Sequence, residues 1–138
     1  MFNNNKYLHL AFSRVVNVYV FSLGILALWW GAVLVLPFGQ FANSTLYDYM
    51  SYLAPEYAWG YAAWVAGALM VLGALKGCER MSKLGLMVGC LLWGFVLMTY
   101  LLSIPSSTAV PTTAFLVWAH VMGHLVLCIR PEVLKERF

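Results

Sequence analysis

Four long apolar runs dominate the chain, with short polar stretches between them. They cover about residues 15–36, 57–75, 84–104 and 111–129. Each is near the roughly 20 residues that a 30 Å hydrocarbon layer requires of a helix, and flanking residues at the interface extend the shorter ones. The ten-residue alternation of a membrane β-barrel is absent, so helices are the expected spanning form. The pattern predicts an all-α integral membrane protein: a four-transmembrane-helix bundle, one domain over residues 1–138. Pro37-Phe38-Gly39 ends the first run, Lys76 and Gly77 the second, Pro105 the third, and Arg130 with Pro131 the fourth.

The connection from the first run to the second is long for a bundle, and its polar positions are patterned. Leu46, Tyr49, Met50 and Leu53 follow i, i+3, i+4, i+7 spacing, which predicts a short amphipathic helix over about residues 45–54. Thr45 and Asp48 have the spacing of a capping pair. This stripe is expected to lie on the outer membrane surface or to cap the bundle, as a contact surface on that side. Pro55 stops the helix and can open the next, which places Glu56 in the first turn of the second span, where the helix dipole favours a carboxylate.

Charge orients the bundle. All eight Lys and Arg residues fall before the first run, between the second and third, or after the fourth. The positive-inside rule then places both termini in the cytoplasm and the 37–56 connection outside. Composition agrees with a membrane protein: 63% hydrophobic and 9% charged residues, and a mean hydropathy of +0.82. The expected surroundings are the lipid bilayer. No basic segment is dense enough for nucleic acid. Cys78, Cys90 and Cys128 form no CxxC pair and are read as free thiols. The first run is too long for the apolar core of a signal peptide and is expected to stay as a helix.

Small residues suggest how the spans pack. Gly85 and Gly89 form a GxxxG in the third span, and Ala119 with Gly123, and Ala63 with Gly67, repeat the spacing. Such rows permit close helix approach, within one bundle or between protomers.

Candidate chemistry is sparse. His120 and His124 are the ionisable residues expected at membrane depth, four apart on one helix face, about 15 Å and 9 Å from Arg130 along the axis. Such residues are functional candidates by default. Three roles are open: a structural hydrogen bond to a neighbouring helix, a proton relay or pore lining, and a metal or haem ligand. Cys128 continues the row, but at about 12 Å from His120 one ion cannot hold all three from a straight helix, so a second helix would have to supply ligands. No metal or other cofactor is assigned on these grounds. His9 is expected at the surface of an N-terminal tail. A pore would draw on Asn17, Ser22, Thr99, Ser103, Thr112 and Thr113 and would need an oligomer. No nucleophile motif, phosphate loop or paired acid and base is present, so the chain is not expected to be an enzyme.

Three segments carry a resemblance: Pro55-Glu56-Tyr57-Ala58-Trp59-Gly60, Leu91-Leu92-Trp93-Gly94-Phe95 and Pro105-Ser106-Ser107-Thr108. In this order they resemble small four-helix membrane proteins of tailed-bacteriophage genomes, with a P-E-x-A-W-G segment and a P-x-S-T turn, over roughly residues 55–128. Ala109 stands where that pattern has Gly. A second resemblance, to DoxX-like membrane proteins, rests on Leu23-Gly24 and Leu28-Trp29-Trp30-Gly31 before Pro37. The first implies a phage-type protein of the bacterial inner membrane, acting by oligomerisation or by binding a host membrane complex, with holin-like lysis or superinfection exclusion as outcomes. The second implies an accessory subunit of a redox or respiratory complex. A small oligomeric channel or transporter is the third reading.

Overall fold

The computed structural model describes residues 4–37 and 39–135, with side chains over 11–37 and 39–129. Helix α1 is Asn4–Val35, α2 Gln40–Asn43, α3 Asp48–Leu53, α4 Glu56–Lys76, α5 Glu79–Ser103 and α6 Ala109–Lys135. Four of them contain stretches long and apolar enough to cross a membrane: Ala11–Val35, Glu56–Lys76, Glu79–Ser103 and Ala109–Ile129. The protein is therefore an all-α bundle of four membrane-spanning helices, as the apolar runs predict.

The differences lie at the ends. Helix α1 begins well before residue 15, so His9 belongs to a helix rather than an irregular tail, although its side chain lies outside the described residues. Helix α5 begins at Glu79, where Glu79 and Lys83 form an i, i+4 ion pair at 2.6 Å. Helix α6 runs through Pro131 to Lys135: a proline removes one ladder donor but need not end a helix. Phe38, one residue of the expected stop after the first run, lies outside the described residues.

Helix α1 packs along α4, α4 along α5 and α5 along α6. The α1–α4 seam is built from small residues. Gly24 and Gly31 on α1 face Gly67 and Gly60 on α4, and Ala27 and Ala63 are fully buried in the same seam. A seven-residue repeat on both helices keeps these positions on one line. A Cβ on Gly67 would lie 2.7 Å from the Gly24 carbonyl oxygen, and one on Gly31 would lie 2.7 Å from that of Gly60. The indole of Trp64 donates across the seam to the Leu28 carbonyl at 3.1 Å.

The turn between α4 and α5 is tight. Gly77 adopts the left-handed conformation (φ 63°), and the Cys78 N–H returns to the Gly73 carbonyl at 2.8 Å, which is a Schellman ending. Gly73 then lies against the backbone of Ser82. Between α5 and α6, the Ser107 hydroxyl accepts the Ala109 N–H at 3.2 Å and helps to start α6.

The connection between α1 and α4 folds over the end of the bundle as a cap. It comprises α2, a 3-10 turn at Thr45–Tyr47, and α3. The expected Thr45–Asp48 cap does not form. Ser44 takes that role, its hydroxyl accepting the Leu46 N–H at 3.3 Å, and the helix proper starts only at Asp48. The opposite end of the bundle holds the start of α1, the α4–α5 turn and the end of α6, the segments that carry Lys6, Arg14, Lys76, Arg80, Lys83, Arg130 and Lys135.

Candidate functional site

His120 and His124 share helix α6 but not an environment. His120 is fully buried, and His124 is only partly so. The Nδ1–H of His120 donates to the Leu116 carbonyl of its own helix at 2.8 Å. Its Nε2 is then an acceptor, and it is buried with no hydrogen-bond partner. A buried unpaired polar atom costs about 1–3 kcal/mol. The ring fits because Gly89 faces it: a Cβ there would lie 2.6 Å from His120 Cδ2 and 2.7 Å from Nε2.

Both histidines line an open groove of about 210 Å³ between α5 and α6, together with Cys90, Leu86 and Met87. Cys90 is thus the donor from a second helix that a metal would require, and Cys128 Sγ lies 3.5 Å from His124 Nδ1. Even so, among the described residues no three His, Cys, Asp or Glu side chains gather closely enough to hold one metal ion.

The hydroxyls considered for a polar path largely turn back on their own helices. Thr99 donates to Val96, Thr112 to Thr108, Thr113 to Ala109 and Ser22 to Val18. Ser103 Oγ is buried with no hydrogen-bond partner, like the indole nitrogen of Trp93. Asn17 is half-buried on α1.

The small residues of the third and fourth spans are used within the bundle. Gly85 lies against Met70 and Leu69 of α4, Gly89 against His120, and Gly123 against Tyr19 and Leu86. Ala119 is buried, and its carbonyl accepts the Tyr19 hydroxyl at 2.6 Å. Gly67, with Ala63, is marked in the sequence as part of a small-residue row, but the seven-residue spacing of Gly24 with Gly31 and of Gly60 with Gly67 that builds the α1–α4 seam is not.

The cap divides its amphipathic stripe. Met50 is fully buried on Trp93, Val96 and Tyr100, with Leu46 partly buried beside them. Tyr49 and Leu53 stay exposed, and Tyr52 is 86% exposed. Tyr47, outside the stripe, points inward, stacking on Phe41 at 5.1 Å and meeting Tyr100 edge-on at 5.9 Å. Of the expected contact surface, Tyr49 and Leu53 therefore face outward, whereas Met50 belongs to the core.

Two residues of the Pro55–Gly60 segment hold this cap in place. The Glu56 carboxylate accepts the backbone N–H groups of Gln40 at 2.9 Å and Phe41 at 3.4 Å, closing the start of α2. The Trp59 indole donates to the Met50 carbonyl at 3.2 Å, at the end of α3. Gly60 contributes to the α1–α4 seam. Each of these three residues thus has a packing or hydrogen-bonding task.

No family model matches the chain, and no curated protein or solved structure matches it either. The arrangement itself can do two things chemically. It offers a rigid, aromatic outer face on the cap, and it holds a histidine acceptor beside an apolar groove.

Proposed function

We propose that this chain is a non-enzymatic, phage-type protein of the bacterial inner membrane, with both termini cytoplasmic, and that it acts by binding a host membrane protein through its cap. The observation that carries this reading is the exposed, largely aromatic face of Tyr49, Tyr52 and Leu53 on a cap braced by Glu56 and Trp59. Exposed aromatic groups on a fixed backbone make low-entropy contacts. The small-residue rows, which could equally serve self-association, are used inside the protomer, and this favours a foreign partner over oligomerisation. Superinfection exclusion or holin-like lysis would be the outcome.

Inducible expression in a bacterial host tests the reading. The expected result is altered phage sensitivity or growth that the double variant Tyr52→Ala, Leu53→Ser weakens. Retained membrane potential would favour exclusion, and collapse would favour lysis. Unchanged growth, potential and phage sensitivity would contradict the proposal.

One observation favours a second reading, an accessory subunit of a membrane complex: the unpaired Nε2 of His120 beside Cys90 and His124. Copurification of a host oxidoreductase, lost in His120→Leu, would support it over the first.

A further inference from the structure

We propose that the groove between α1 and α6 binds one acyl chain of an anionic phospholipid from the leaflet at the basic end of the bundle. Helix α1 meets α6 at Tyr19, whose hydroxyl is bound to the Ala119 carbonyl and whose ring lies against Gly123. Beside this contact a groove of about 310 Å³ remains, lined by Phe12, Val15 and Tyr19 of α1 and by Trp118, Met122 and Val126 of α6. Its walls offer hydrocarbon and aromatic carbon, because the Tyr19 hydroxyl is already engaged. A lipid chain suits such a lining, and a headgroup does not.

Depth supports the same occupant. Phe12 lies at the start of the apolar stretch Ala11–Val35. Seven residues separate it from Tyr19, roughly 10 Å along the axis. One leaflet of hydrocarbon is about 15 Å deep. The groove therefore runs from the membrane edge most of the way through one leaflet.

Charge selects the headgroup. The groove opens at the end whose described segments hold Lys6, Arg14, Lys76, Arg80, Lys83, Arg130 and Lys135 against Glu79 and Glu132. On α6, Arg130 follows the groove-lining Val126 by four residues, one helical turn nearer the membrane edge and on the same side of the helix. Bound this way, the lipid completes the side of the bundle that α1 and α6 leave unpacked.

The test uses the full-length protein, equilibrated in vesicles of equal phosphatidylglycerol and phosphatidylcholine, extracted in mild detergent and weighed by native mass spectrometry. One phosphatidylglycerol should remain per protomer, in preference to phosphatidylcholine. Arg130→Gln should reduce that preference about five-fold, the factor expected for one basic residue at the headgroups. Val15→Trp, at a position already 66% exposed, fills the groove without burdening the core and should abolish retention of both lipids. Quenching of Trp118 by brominated phosphatidylglycerol should exceed that by brominated phosphatidylcholine, and the difference should vanish in Trp118→Phe. Absence of retained lipid, equal retention of the two lipids, or unchanged retention in both variants would overturn the proposal. So would an intermolecular disulfide between Phe12→Cys and Met122→Cys copies, which would assign the groove to a second protomer.

Discussion

Helix α1 treats two of its neighbours, α4 and α6, differently. Against α4 it lies backbone to backbone, through Gly24, Ala27 and Gly31 facing Gly67, Ala63 and Gly60. Against α6 it touches at Tyr19 and leaves a groove. In a bilayer, helices gain little from hiding apolar surface, because lipid is as apolar as leucine, so close packing decides which faces join. The first face carries glycines at heptad spacing and joins. The second carries Phe12, Val15 and Tyr19, which line the groove, with Tyr19 bridging to α6.

The largest test of this contrast is Gly31→Val. Its Cβ would lie 2.5 Å from Trp64 Cδ1 and 2.7 Å from the Gly60 carbonyl, and backbone cannot move aside as a side chain can. A loss of about 3 kcal/mol or more is expected in denaturant unfolding in detergent. Retention of wild-type stability would mean that the seam is not as close as described.

Glu56→Ala should be intermediate. Removing a carboxylate that accepts two backbone N–H groups should cost about 1 kcal/mol and should accelerate hydrogen exchange in residues 40–53 while the spans stay protected. Uniform acceleration along the chain would show instead that the cap and bundle unfold together.

His120→Leu should have the smallest effect. It removes an unpaired buried acceptor and keeps an apolar side chain of similar size, so stability should hold or rise by up to about 1 kcal/mol. A loss above about 2 kcal/mol would mean that Nε2 is engaged in the folded protein.

The four spans are legible in the sequence because hydropathy is a local property, summed over some 20 residues of one segment. Partner choice is not local. The heptad glycines are visible in each span, but nothing in either span says that Gly31 will face Gly60. The cap shows the same limit. Its stripe marks Leu46, Tyr49, Met50 and Leu53, yet only the returning chain decides that Met50 is buried on Trp93 while Tyr49 faces outward. Glu56 reads as a first-turn carboxylate, which it is, but its bonds to Gln40 and Phe41 span 16 and 15 residues and depend on the fold. His120 and His124 look equivalent at i and i+4. Gly89 on another helix separates them by making room for one ring only.

Seam and groove can be compared most directly by adding one methyl group to each and measuring thermal unfolding in the same lipid. In Gly67→Ala the new Cβ would lie 2.7 Å from the Gly24 carbonyl oxygen, whereas in Gly123→Ala it would lie 3.0 Å from a ring carbon of Tyr19. The seam variant should lose several degrees in Tm, and the Gly123 variant should lose clearly less, because a side chain beside an open groove can shift. Equal losses, or a larger loss at Gly123, would contradict an α1 that is locked to α4 and only loosely joined to α6.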